Sequence, residues 1–205
     1  MIAVPAAPSK IQRNADPLDN PIDNPIAEST PLNLAALLQG EILLSTRPHS
    51  AFGGAVTAQM YLPLVRSQIW SQITNYANWV HYFPDITRSE ILEQNLELPH
   101  RGHRLYQAAQ KTFLMFTAQV DVYLRVFENM QRQIRFRMER GSFNDFTAQI
   151  TLDDCGDGTV LTYSVEATPT IPVPSLFIEQ AMRQDLPGNM RQMRQVLCAH
   201  QHQAA

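Results

Sequence analysis

Between residues 118 and 167 the chain alternates apolar and polar residues in four successive runs, and that period of two restricts it to an antiparallel sheet with one face covered. Ala118, Val120, Val122, Leu124 and Val126 alternate with Gln119, Asp121, Tyr123, Arg125 and Phe127. Ile134, Phe136 and Met138 alternate with Gln133, Arg135, Arg137 and Glu139. Phe146, Ala148, Ile150 and Leu152 alternate with Thr147, Gln149, Thr151 and Asp153, and Leu161, Tyr163, Val165 and Ala167 with Thr162, Ser164 and Glu166. The breaks between runs carry turn chemistry: Asn129-Met130, Gly141-Ser142 and Asp154-Cys155-Gly156-Asp157-Gly158.

An apolar sheet face has to be buried against another layer. The end of the chain supplies one long amphipathic segment, in which Met182, Leu186, Met190, Met193 and Leu197 recur at steps of three and four. Pro172 and Pro174 bar an earlier start, Ser175 can cap it, and Pro187-Gly188 predicts a kink or break. Ahead of the sheet, Leu32 to Leu38 reads as a helical turn, Glu41 to Thr46 as a strand, and Ala55 to Leu62 as a second strand with Val56, Ala58 and Met60 on one face. Val65, Ile69, Trp70 and Ile73 then take helical spacing with Ser67 as the expected cap. A second short helix holds Trp79, Tyr82 and Phe83 and ends at Pro84. The expected fold is α+β, a curved antiparallel sheet wrapped around a long C-terminal helix, with two short helices after the first strand.

One helix does not fill a strongly curved sheet, so this order predicts an apolar cavity. From the sheet its lining would be Val120, Val122 and Leu124, then Ile134, Phe136 and Met138, then Phe146, Ala148 and Ile150, and finally Tyr163 and Val165. From the helix it would be Met182, Leu186, Met190 and Met193, whose flexible thioethers suit an adaptable ligand as well as they suit a core. Phe113-Leu114-Met115-Phe116 has two readings. If the strand pair turns there, these residues line a cavity mouth or touch a membrane; if the strand continues, half of them are core.

Charge and composition narrow the partners. A formal net charge of -3 argues against a nucleic-acid binder. No apolar run approaches the length of a membrane span, and Met1 to Lys10 lacks the pattern of a secretory signal. The expectation is a cytoplasmic protein, at most peripheral at a membrane, with Cys155 and Cys198 as reduced thiols. Residues 1 to 31 carry Pro5, Pro8, Pro17, Pro21, Pro25 and Pro31 and few large apolar groups, as in a disordered extension or a docking arm. A single domain is expected over 32–200, followed by a short tail, 201–205.

Candidate chemistry is sparse. Tyr106 and Tyr163 are the polar groups expected on the inner strand faces, as hydrogen-bond donors to a ligand oxygen or as core tyrosines satisfied by backbone. His81 sits in the second short helix, and His100 and His103 flank Gly102 in an expected hairpin loop, without the converging set a metal needs. Asp154, Gly156 and Asp157 read as a turn and lack the end glutamate of a calcium loop. Arg183, Arg191 and Arg194 form a solvated helix face or an attraction for anionic head groups. No catalytic set, metal or cofactor is expected.

Four segments in a fixed order resemble a known superfamily. Ile69-Trp70-Ser71-Gln72-Ile73-Thr74-Asn75-Tyr76 and Tyr82-Phe83-Pro84-Asp85-Ile86 are similar to the helical segment of START-like SRPBCC proteins. Gly141-Ser142-Phe143-Asn144-Asp145-Phe146 and Gly158-Thr159-Val160-Leu161-Thr162-Tyr163 look like the turn and following strand of the coenzyme-Q-binding and polyketide cyclase/dehydrase-like branch, including its cyanobacterial and plastid members. Ser142 stands where proline is frequent and Phe146 where leucine is frequent, departures that touch only turn geometry. The resemblance covers residues 40–200 and implies the helix-grip fold and a hydrophobic ligand: a lipid, quinone, isoprenoid or pigment precursor. An aromatase/cyclase- or dehydratase-type enzyme in the same cavity and a ligand-free scaffold are the alternatives.

Overall fold

The computed structural model describes residues 31–95, 102–113, 116–170 and 175–199. Eight strands form one sheet in the order β1-β2-β8-β7-β6-β5-β4-β3, and every neighbouring pair is antiparallel. They are β1 (Leu43–Ser50), β2 (Gly53–Leu62), β3 (Ile86–Asn95), β4 (Gly102–Phe113), β5 (Phe116–Asn129), β6 (Gln133–Gly141), β7 (Phe143–Cys155) and β8 (Gly158–Pro169). The helices are α1 (Pro31–Leu38), α2 (Arg66–Ile73), α3 (Trp79–Tyr82) and α4 (Ser175–Ala199), with a 3-10 turn at Tyr76–Asn78. Strands β3 to β8 follow one another as a meander. The exception in order is the step from β2 to β3, which carries the chain from one side of the sheet to its far edge and places α2, the turn and α3 on the way.

This is the helix-grip arrangement that the alternation implied. Inward positions of the four central runs fall in one core with Ile69, Ile73, Trp79 and the α4 residues Leu186, Met190, Met193 and Leu197. Helix α4 packs mainly on β2 and β1 and touches α3. Its close approach to β2 depends on Gly54, where a Cβ would stand 3.3 Å from Glu179 Cγ and from Ile178 Cγ2, and 3.5 Å from the Met182 sulfur.

Several local expectations are corrected. The first strand runs Leu43–Ser50 rather than from Glu41. Helix α2 is capped at Val65, whose N–H donates to Gln68 Oε1 at 3.4 Å, and Ser67 lies inside the first turn. Helix α4 continues through Pro187 without a break. Proline removes one helical hydrogen bond, but Leu186 and Met190 on either side are buried in the core and hold both halves on one axis. The tail expected over 1–31 lies outside the described residues except for Pro31, which opens α1, where the missing N–H has no helical acceptor to lose. The short tail at 201–205 also lies outside them.

Candidate functional site

Burial along the gripped face falls in one direction. At one end Leu161, Ile150, Ile134, Val126 and Leu105 are completely enclosed. Moving two residues at a time along β8, β7, β6 and β5 leads to Tyr163, Ala148, Met138 and Val122, and then to Val165, Phe146 and Val120, which are only half-buried; on β8 the next inward residue, Ala167, is covered again at 4% exposed, opposite Gly54 under α4. Helix α4 repeats the trend: Leu197, Met193 and Met190 are 0% exposed, Leu186 is 7%, and Met182 is half-buried. The face therefore has a packed end and an open end. The packed end is filled by Ile69 and Ile73 of α2 and by Tyr76, Trp79 and Phe136, whose rings meet edge-on or tilted at 4.9–6.2 Å. Helix α4 meets the sheet along β2 and β1, and its Ile178, Glu179 and Met182 stand over Gly54 at the open end.

The residues expected to line one cavity thus divide. Leu124, Ile134, Phe136, Ile150, Met190 and Met193 are packed core. Val120, Met138, Phe146, Val165 and Met182 are half-buried around the opening, with Val122, Ala148, Tyr163 and Leu186 at its floor. Strand β4 ends at Phe113 and β5 begins at Phe116, and the two are paired in register at the open end. Leu114 and Met115 lie outside the described residues.

Two polar groups reach the inner face near the middle. Tyr163 is 8% exposed, touches the Phe83 ring at 5.6 Å, and has no hydrogen-bond partner for its hydroxyl among the described residues. Burial pushes that hydroxyl well above the ordinary tyrosine range, so it stays protonated as a donor. Gln107 donates to Ser89 Oγ at 3.1 Å, and Ser89 donates to the Tyr76 carbonyl at 2.7 Å. Tyr106 does not belong here. It pairs with Tyr123 on the opposite side of the sheet, ring centroids 5.0 Å apart, under the Arg88 guanidinium. The inward positions flanking it on β4 are Leu105 and Gln107, set by pairing with Leu124 and Val122.

A polar group that the sequence reading missed occupies the packed end. The Tyr76 hydroxyl donates to Glu128 Oε1 at 2.5 Å, His103 Nε2 stands 3.3 Å from the same oxygen, and the His103 and Tyr76 rings meet at 5.3 Å. Burial, and then the Glu128 carboxylate, push the Tyr76 hydroxyl far above its ordinary range. His103 lies in β4 rather than in a loop, and its Nδ1 is buried without a hydrogen-bond partner among the described residues. The signal available was parity, since Glu128 continues the inward series Val122, Leu124, Val126.

Other candidates stay apart from this face. His81 lines a surface groove of about 470 Å³ between α3 and α4 with Val80, Pro84, Gln192 and Val196. His100 lies outside the described residues. Asp154, the residue before the last of β7, pairs with Arg66 at 2.6 Å, and Gly156 takes the positive φ of 57° that the turn requires. Both cysteines are free, and burial raises the Cys198 thiol. Arg183 donates to Thr46 Oγ1, and Arg194 to the Gly40 carbonyl, so both serve packing of α4. Among the described residues no three His, Cys, Asp or Glu side chains converge as a metal site, and no helix is long and apolar enough to cross a membrane.

Solved structures with this fold are numerous. A START superfamily protein from Mycobacterium smegmatis is 15% identical with a TM-score of 0.60, covering 70% of this chain and 96% of its own. A STAR-related lipid transfer protein from Xanthomonas axonopodis (fragment 25-204) is 16% identical with a TM-score of 0.60, covering 76% and 93%. The Zhui aromatase/cyclase from a Streptomyces species is 9% identical with a TM-score of 0.54, covering 80% and 97%. At these identities the likeness establishes the fold. No curated protein matches the sequence. The family model described as polyketide cyclase / dehydrase and lipid transport matches residues 62–194, from the last residue of β2 through the four sheet runs and most of α4. The chain belongs to that polyketide cyclase / dehydrase and lipid transport family of START-like proteins.

Proposed function

We propose that this protein binds an uncharged hydrophobic small molecule at the open end of the gripped sheet and carries it unchanged. The observation that carries this reading is the shared direction of the burial series on β5, β6, β7 and α4, which loosen at the same end, and on β8 as far as Val165. Apolar side chains left half-wet on five elements at once lose contact with one another, and an apolar ligand restores it. The Tyr163 hydroxyl at the floor selects for a ligand with one acceptor oxygen, as in a quinone, a carbonyl-bearing isoprenoid or pigment precursor, or an ester lipid. The family description and the lipid transfer protein among the similar structures agree with that class.

An aromatase/cyclase would need an acid or base facing the reacting chain. Among the described side chains, the inward strand positions around the opening include Gln107, Val120, Val122, Met138, Phe146, Ala148, Tyr163 and Val165, and none of these is a carboxylate, imidazole or thiol. His103 and Glu128 are engaged with Tyr76 at the other end. The test is native mass spectrometry and organic extraction of the full chain purified gently from its source. A defined co-purifying neutral lipid, quinone or pigment is expected, and an empty protein that also takes up none of these on incubation would overturn the proposal.

A further inference from the structure

The side of the sheet facing away from α4 carries two kinds of surface. Across β2, β8 and β7 its carboxylates stand toward the two ends, Glu166 paired with Arg47 and Asp153 near the other, and the rows between are neutral with hydrogen-bonded cross-strand neighbours: Thr57 with Ser164 at 2.9 Å, and Gln59 to Thr162 at 3.2 Å. Across β4, β5 and β6 it is basic. Glu139 accepts from Arg104 at 2.8 Å and from Arg125 at 3.1 Å, and Glu93 accepts from Arg104 at 2.9 Å. Arg137 stands directly opposite Arg125 in the β5–β6 ladder, and Arg135 follows two residues away. Neither Arg135 nor Arg137 has a carboxylate partner among the described residues. Like charges directly opposed on neighbouring strands destabilise a sheet. The arrangement persists in a chain whose net charge is -3, so something anionic covering it would relieve a real repulsion.

We propose that this basic patch is the docking site of the chain's own N-terminal segment, residues 14–30. That segment holds Asp16, Asp19, Asp23 and Glu28 and no lysine or arginine, and repeats Asp-Asn-Pro-Ile in tandem at Asp19 to Ile22 and Asp23 to Ile26. It joins the described chain at Pro31, the start of α1, and α1 packs against β1 and β2. One ladder row runs across the sheet from Ser45 through Thr57, Ser164 and Gln149 to Arg135. Those four interstrand steps amount to about 19 Å. Asp23 and Asp19 lie eight and twelve residues before Pro31, a reach of roughly 25 and 40 Å in extended chain. The row crosses hydroxyl and amide side chains before it meets the arginines, so no carboxylate on that row repels the approaching acidic segment. Tethering supplies an effective concentration that a free peptide lacks. A flat anionic membrane is the poorer fit, because the outer side of a curved sheet meets a plane only along a narrow strip, whereas an extended segment follows the curvature.

The test uses the full chain with Cys155→Ser and Cys198→Ser and a nitroxide attached at Asn24→Cys, read by paramagnetic broadening of backbone amide signals. At low salt the amides of Arg135, Arg137 and Gln149 are expected to lose more than half their intensity. The intensity should return with Asp16→Asn, Asp19→Asn and Asp23→Asn together, with Arg135→Gln and Arg137→Gln together, and at high salt. Unbroadened amides at low salt overturn the proposal. So does equal broadening in a mixture of isotope-labelled, nitroxide-free chains with unlabelled nitroxide chains, which would assign the contact to a second copy. Binding of phosphatidylglycerol vesicles that is lost in the Arg135→Gln, Arg137→Gln variant, with the amides unbroadened, would give the patch to lipid instead. None of these readouts depends on the ligand in the sheet.

Discussion

The two ends of the gripped face make opposite demands on methionine. Met193 is completely buried, and Met182 is half-buried beside Gly54. Met193→Ala removes an enclosed side chain and leaves a cavity that the surrounding Leu197, Ile69 and Ile73 core closes only in part. The cost is about 3 kcal/mol, within the range for buried methionine truncations. In a domain of this size that is a fall in Tm of roughly 6–12 °C. Met182→Ala removes a side chain already part-solvated and costs about 1 kcal/mol, a fall of roughly 2–4 °C. Both are to be measured by urea and thermal unfolding on ligand-stripped protein, since a ligand that binds only the folded state would mask the difference. Ligand retention should follow the reverse order. Met182→Trp fills the opening and should lose the co-purifying molecule with the fold intact, whereas Met190→Trp overpacks a fully buried site and should destabilise by about 1–3 kcal/mol. Equal stability losses for Met193→Ala and Met182→Ala, or full ligand retention in Met182→Trp, would refute the division into a packed and an open end.

Tyr163→Phe should leave stability unchanged within about 0.5 kcal/mol, because no described residue bonds the hydroxyl, and should weaken ligand binding about fivefold, the worth of one neutral hydrogen bond; a titration showing unchanged affinity removes Tyr163 from the site. Gly141→Ala should destabilise strongly, since φ is 154° and a Cβ there would clash with the Asp121 carbonyl oxygen, whereas Gly188→Ala, with nothing within 4 Å of the new Cβ, should stabilise α4 by about 0.5–1 kcal/mol. Denaturant curves that rank the two glycine variants the other way would contradict the backbone assignment. Burial raises Tyr82 to about 12, and raises Tyr76 and Tyr163 further still. Their folded values exceed the unfolded one, so the stability they confer is complete below about pH 10, where an unfolded tyrosine ionises, and is lost as pH rises above it. Phenolate absorbance should therefore appear for these three only together with loss of the near-UV dichroism of the fold, and their independent titration in intact protein would count against their burial.

Period-two alternation was sufficient for β5 to β8 because each strand there has one covered face, so parity and polarity agree. It was insufficient for β4, where Leu105, Tyr106, Ala108 and Ala109 put apolar groups on both sides and only pairing with β5 decides that Tyr106 points outward. Gly102 reads as a turn residue, yet it opens β4 and draws His103 into the ladder opposite Val126. Glu128 escaped notice because a carboxylate at the end of an apolar series resembles the end of the strand rather than its next inward position. Phe113-Leu114-Met115-Phe116 carries no glycine, proline or asparagine, so its local chemistry did not choose between the two readings. The effect of Pro187 was overstated for the converse reason: a local propensity yields where both flanking turns are anchored in a core.

What no strand pattern contains is the difference between the two ends of the face. Ile134 and Phe146 are both inward apolar residues in an alternating run, yet one is completely enclosed and the other half-wet. The distinction comes from the β2-to-β3 connection. To reach the far edge, the chain must cross the gripped side, and it does so with Ile69, Ile73, Tyr76 and Trp79 directed into the sheet at one end. The Trp79 indole N–H donates to the Ile73 carbonyl at 2.8 Å and the Tyr82 hydroxyl to the Gln72 carbonyl at 3.1 Å, which fixes those helices against one another. Helix α4 then has two environments along its length: a wall of helices near Leu197, and sheet alone near Met182. Because the crossing must be made at some level along the strands, a curved sheet in this strand order fills one end of its concavity and leaves the other to α4. The opening is thus a consequence of topology, and its chemistry is set by the few residues, Tyr163 and Gln107 foremost, that stand where the helical wall stops.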